Sequence, residues 1–149
     1  MEIDSLLKEK FIFLNPKSET KGEMLRELCD FAFQTGIVTD KNEFFEVIEN
    51  REKLGSTGIG KNIAIPHGRC ECVKDLSLIL VRHSKGIDFD SLDGKPARIF
   101  FLLAAPINVE SKYLQVLANL SMLLRRDEFR KAILDAVTAE EIMDILRKK

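Results

Sequence analysis

Arg51, the turn Gly55-Ser56-Thr57-Gly58-Ile59-Gly60 and His67 follow one another closely in the chain, and each part suits an anion. Backbone N–H groups of a glycine-rich turn can converge on phosphate oxygens, Ser56 and Thr57 add hydroxyl donors, and Arg51 offers a planar fork for bidentate pairing. A neutral imidazole, with a reference pKa of about 6.5, is a nucleophile at neutral pH once its other nitrogen is fixed by a carbonyl or carboxylate. Gly68 is expected to leave the approach to that ring open. A phosphoryl group on His67 would bring roughly two negative charges, which Arg51 and the turn donors offset without a bound metal or cofactor. The chemistry expected is phosphoryl transfer through a phosphohistidine: His67 as acceptor, Arg51 as stabiliser, Ser56 and Thr57 as phosphate-binding support.

Plainer roles exist for the same residues. His67 could be a strand-end histidine satisfied by local hydrogen bonds, Arg51 could complement the last carbonyls of a helix, and Ser56 and Thr57 could satisfy turn backbone. The second histidine, His83, precedes Ser84-Lys85-Gly86 and is expected in a solvated turn. Asp88, Asp90 and Asp93 read as a solvated connection and a turn. His67, Cys70 and Cys72 could form a small metal site, but the H-x-x-C-x-C spacing lacks a fourth ligand, because Cys29 lies in a helical stripe; no metal is expected.

The elements that must hold this segment can be read from periodicity. After a short apolar run, Phe11 to Leu14, stopped by Asn15-Pro16, Ser18 is expected to open a helix burying Met24, Leu25, Leu28, Phe31 and Ala32, with Gly36 as its stop. Asp40 and Glu43 form a capping box for a second helix that buries Phe44, Val47 and Ile48 and runs to about Lys53. This places Arg51 on its last turn. Ile63 to Ile65 is a short strand, kept extended by Pro66 and ending at His67. Leu76 to Val81 is another, and Ala97 to Ala104, apolar on both faces, is the central one. The remainder is helical, with Leu114, Leu117, Leu120 and Leu124 as one buried stripe, Phe129, Ile133 and Leu134 as a second, and Thr138 with Glu141 capping a last segment. The fold class expected is α/β: one domain over residues 1–149, a sandwich with a mixed β-sheet covered by helices.

The 149 residues are 45% hydrophobic and 32% charged, enough for one core. A net charge of −1 gives no bulk attraction to nucleic acid or anionic lipid, and a chain with no Trp and one Tyr has no aromatic platform for single strands. The start, MEIDSLLKEKF, lacks the basic and apolar pattern of a secretory signal, so a cytoplasmic location is expected. The three cysteines are expected as reduced thiols.

The stretch NREKLGSTGIGKNIAIPHG closely resembles the active-site signature of the fructose/mannitol class (type 2) of phosphotransferase-system enzyme IIA, nitrogen-regulatory relatives included. SKGIDFDSLDGKPARIFFLLAAP and DEFRKAILDAVTAEEIMDIL are similar to later segments of that family. The resemblance implies a phosphoryl carrier of the sugar phosphotransferase system in which His67 is charged by the histidine-containing phosphocarrier protein and passes the group to a cysteine of enzyme IIB, with Arg51 stabilising it. The membrane would be reached only indirectly, through a permease complex. The alternative is a nitrogen-regulatory enzyme IIA that controls partner proteins by its phosphorylation state. Where the family commonly has a second active-site histidine, this chain has Tyr113, which can hold a phosphoryl group by a hydrogen bond or simply pack on Leu117.

Overall fold

The computed structural model describes residues 3–148. Its centre is β6 (Ala97–Ala105), buried at every position but Arg98. A strand with no polar face must be covered on both sides. β5 (Ser77–Ile87) pairs with it antiparallel, Leu80 opposite Phe101. Along its other edge two short strands lie end to end, both parallel to it: β3 (Ile63–Ala64) beside Ile99 and Phe100, and β4 (His67–Arg69) beside Leu103 to Ala105. β2 (Gly58–Gly60) pairs antiparallel with β3, and β1 (Ile12–Phe13) parallel with β5, giving a mixed six-stranded sheet. The helices are α1 (Ile3–Leu6), α2 (Lys21–Gln34), α3 (Lys41–Lys53), α4 (Glu110–Leu123), α5 (Asp127–Asp135) and α6 (Ala139–Lys148). None is long and apolar enough to cross a membrane.

Several elements differ from the sequence reading, each for a local reason. Thr20, not Ser18, caps α2, its hydroxyl accepting the Glu23 N–H at 3.2 Å; Ser18 is buried with its hydroxyl on the Glu27 carboxylate. Asp40 caps α3 through the N–H groups of Asn42 and Glu43, each at 3.0 Å, whereas the Glu43 carboxylate turns away to lie 3.3 Å from Cys70 Sγ. The buried stripe of α4 is Tyr113, Val116, Leu120 and Leu123, and Leu114 is exposed. Leucines crowd this helix, so two adjacent stripes satisfy the same period.

His83 is no turn residue. β5 runs on past Val81 to Ile87, with a register shift at Ser84-Lys85-Gly86 and a positive φ of 90° at Gly86. The imidazole is buried: Nε2–H donates to the Ser18 carbonyl at 2.8 Å, and Nδ1 accepts the Gly86 N–H at 2.9 Å. Both nitrogens are used structurally. Asp88, Asp90 and Asp93 are exposed in the connection to β6, as expected, with Asp93 accepting the N–H groups of Lys61 and Lys95.

The cysteines also depart from expectation. Cys70 and Cys72 form a disulfide, their Cα atoms brought to 5.1 Å by the turn that follows β4, while Cys29 is a free, buried thiol. Glu43, not His67, gathers with these two sulfurs.

Candidate functional site

Pro66 splits the β3–β4 edge, and the break aims His67. The Pro66 carbonyl accepts the Leu103 N–H at 3.0 Å, so the chain rejoins β6 at once, with His67 opposite Leu103. His67 therefore opens a strand, rather than ending the one that starts at Ile63. Its Nδ1 lies 2.8 Å from the Ile65 carbonyl. A carbonyl can only accept, so Nδ1 carries the proton and Nε2 the lone pair. That lone pair receives the Arg51 Nε–H at 3.3 Å.

Burial holds the His67 pKa below the ordinary 6.5; the bond to Ile65 opposes this, the Arg51 charge adds to it, and Glu52 acts weakly against it. The ring is thus a neutral nucleophile at physiological pH, with its free nitrogen facing a cation.

The facing cation comes from the last turn of α3. Besides meeting His67, the Arg51 guanidinium donates through Nη1 to the Gly55 carbonyl at 2.8 Å. Gly55 has φ +150°, a conformation that glycine adopts readily. Gly68 acts differently from expectation. A Cβ there would lie 2.8 Å from Val47 Cγ1 and 3.0 Å from Ile48 Cδ1. It lets α3 close on β4 rather than clearing an approach to the imidazole.

Ser56 and Thr57 line the same cleft as His67 and Arg51, yet their hydroxyls are already engaged. Ser56 donates to the Phe89 carbonyl and accepts the Gly58 N–H at 2.9 Å; Thr57 gives its hydroxyl to the Glu52 carboxylate and its N–H to the same group at 3.1 Å. Tyr113, in the first turn of α4, meets His67 edge-on, ring centroids 6.0 Å apart. The Arg69 guanidinium lies 5.7 Å from the centre of the tyrosine ring. Burial pushes the phenol up to about 12 despite the nearby charges of Arg69 and Arg51, so it stays neutral.

Arg51, Ser56, Thr57 and His67 floor an open cleft of about 270 Å³, walled by Ile59, Ile65, Leu117, Ala118 and Ser121. Ile59 is exposed and Ile65 buried. A cleft of this size, with a guanidinium at its base and apolar side chains at its rim, suits a small anion and an apolar surface. Two charged residues that sequence reasoning missed stand behind it: Glu52, buried and paired with Lys21 at 3.0 Å. The one sequence signal for Glu52 is its place beside Arg51 in a helix turn that must face the core.

The family model described as "Phosphoenolpyruvate-dependent sugar phosphotransferase system, EIIA 2" matches residues 5–149. The chain is 37% identical over 148 residues to the fructose-specific EIIABC component of Bacillus subtilis, covering 99% of this chain but 23% of that much longer protein. Its structure superposes on the nitrogen regulatory protein IIA-Ntr of Neisseria meningitidis with a TM-score of 0.89 at 32% identity, covering 97% and 98% of the two chains. It also resembles the mannitol enzyme IIA of Escherichia coli in its complex with phosphorylated enzyme IIB, with a TM-score of 0.80 at 25% identity over 97% of this chain and 100% of that one.

Proposed function

As the chain belongs to the type 2 enzyme IIA family of the phosphoenolpyruvate-dependent sugar phosphotransferase system, we propose that it carries a phosphoryl group on Nε2 of His67, taken from the histidine-containing phosphocarrier protein and delivered to a cysteine of an enzyme IIB. The observation that carries this reading is the pair of hydrogen bonds on the imidazole: Ile65 holds the proton on Nδ1, and the Nε2 lone pair faces the cleft beside Arg51.

On acceptance, the P–N bond of the donor phosphohistidine breaks as a P–Nε2 bond forms. The ring becomes an N-phosphoryl imidazolium whose Nδ1–H keeps its bond to the Ile65 carbonyl. The Arg51 Nε–H, no longer facing a lone pair, turns to a phosphoryl oxygen, and the second arm stays on Gly55. Charge collecting on the equatorial oxygens of a loose transition state is then met by a fixed cation. On delivery the P–Nε2 bond breaks toward an incoming thiolate, and the neutral Nδ1–H ring is restored. Tyr113 edges the same imidazole as a neutral phenol, and Ser56 and Thr57 shape the turn beneath the phosphoryl group. The protein works in the cytoplasm and reaches the membrane only through a permease complex.

The close likeness to IIA-Ntr favours a second reading of the same site: the phosphohistidine reports supply of phosphoryl groups to a regulated partner protein, with no enzyme IIB downstream. The test is phosphorylation by the general phosphotransferase proteins and phosphoenolpyruvate. The wild type should take up one acid-labile, base-stable phosphoryl group and His67→Gln none. Onward loss to an enzyme IIB separates the transport role from the regulatory one. Retention of label in His67→Gln would refute both.

A further inference from the structure

Glu52 is a charged side chain only 8% exposed, one residue from Arg51 in the final turn of α3. Its carboxylate takes the N–H and the hydroxyl of Thr57. Its charge is met by Lys21 Nζ at 3.0 Å, reaching across from α2 and lying 4.7 Å from the centre of the Phe89 ring. The Phe89 carbonyl in turn accepts the Ser56 hydroxyl. The whole Gly55-Ser56-Thr57 turn is thereby clamped between α3 and the segment before β6.

This clamp matters because of what hangs on the turn. The Gly55 carbonyl is the acceptor for Arg51 Nη1 at 2.8 Å, and the Thr57 carbonyl accepts the Ile65 N–H at 3.0 Å. Ile65 is also the residue whose carbonyl holds the His67 proton. Both supports of the active pair, the one under the guanidinium and the one under the imidazole, thus run back to one buried carboxylate. We infer that Glu52, neutralised by Lys21, is the positioning residue of this site, fixing the turn so that Arg51 stays aimed at Nε2 of His67. This rests on the phosphoryl-carrier reading above.

A buried ion pair is weak evidence for stability, since desolvation can consume the Coulombic gain. Glu52 earns its place by geometry, and the geometry can be tested apart from folding. His67 is faced by Arg51 and Glu52 from α3 and by Tyr113 from α4, with Arg69 behind the tyrosine ring. Removing the Glu52 charge lowers the proton affinity of the imidazole, because an anion favours imidazolium.

The experiment follows the His67 imidazole by nitrogen-15 NMR titration and measures single-turnover phosphoryl acceptance for wild type, Glu52→Gln and Glu52→Asp, with thermal unfolding alongside. Glu52→Gln should titrate below wild type and accept at least tenfold more slowly at saturating donor. Glu52→Asp keeps the charge but draws back from Thr57, so it should titrate near wild type yet still accept slowly. A folded Glu52→Gln with an unmoved titration and a normal rate would overturn the inference, even if it melted lower. Should Glu52→Gln not fold, Thr57→Val, which removes only the hydroxyl arm, must slow acceptance, and a normal rate there overturns it equally. Absence of any phosphoryl uptake by wild type would instead sink the carrier reading, and the titrations would still decide the role of Glu52.

Discussion

Arg51 and His67 meet through a single hydrogen bond, Nε–H to Nε2 at 3.3 Å, and that bond occupies the lone pair that the proposed phosphoryl transfer would use. In the proposed mechanism the arginine marks the reacting atom and yields it when the group arrives. Lysine can supply charge there but not a second arm for Gly55. Arg51→Lys should slow phosphoryl acceptance about 100-fold, the low end of the effect expected when one preorganised donor is lost, with little change in melting temperature. A normal rate would leave Arg51 with only the helix-end role.

The pH response of the imidazole follows from its burial. His67 is held below 6.5 when folded, so acceptance should persist as pH falls through 6.5 and fail only at the lower folded value. Above 6.5 the ring is neutral in both folded and unfolded chains and costs nothing. Below it the unfolded chain takes the proton first, so folding stability declines as pH drops from 6.5 toward the folded value. Denaturant unfolding of wild type and His67→Gln across this range checks the sign: wild type should lose more stability on acidification. An acid limb of the rate above 6.5 would show that the folded imidazole is not held below its ordinary value.

Gly68→Ala should be costly in a residue that sequence alone suggests is merely open. The new methyl would press on Val47 and Ile48 at 2.8 and 3.0 Å, and overpacking of this kind costs about 1–3 kcal/mol. Because it pries α3 from β4, it should also slow phosphoryl acceptance. Loss of stability with an unaltered rate would show that the Arg51–His67 distance tolerates the shift.

Much of this arrangement was legible in the chain. The apolar run that became β6, the Asp40 cap and the glycine that ends α3 rest on local chemistry, and together they bring Arg51 and His67 to one place. Part of what stayed hidden depends on partners distant in sequence, and part on local turn geometry. His83 looked solvated because Ser84-Lys85-Gly86 reads as a turn, and nothing local shows that the Ser18 carbonyl comes to meet it. Nothing in the sequence pairs Glu52 with Lys21, which reaches it from another helix. The Cys70–Cys72 pairing, against the expectation of reduced thiols, depends on a turn geometry that spacing alone does not fix.

Tyr113→Phe should separate packing from hydrogen bonding. The ring contact with His67 survives, so His67 should still accept the group, while transfer in both directions should slow alike by something near one net hydrogen bond, about 0.5–1.5 kcal/mol. Parallel forward and reverse kinetics check this. Unchanged kinetics with a lower melting temperature would make the tyrosine a packing residue.

Ile59 stands exposed on the rim of the cleft, where the proposed function would seat a donor or acceptor protein. Ile59→Asp should leave stability within about 0.5 kcal/mol of wild type yet raise the donor concentration needed for half-maximal transfer. Unaffected transfer with both partners would place the docking face elsewhere.

The most direct test is a long-range proton–nitrogen correlation spectrum of the nitrogen-15-labelled protein before and after phosphorylation by the general phosphotransferase proteins. With only two histidines in the chain, the assignment is unambiguous. His67 should begin as the Nδ1–H tautomer and gain its phosphoryl group on Nε2, while the His83 signals stay in place. A phosphoryl group on Nδ1 of His67, or on His83, would contradict that placement.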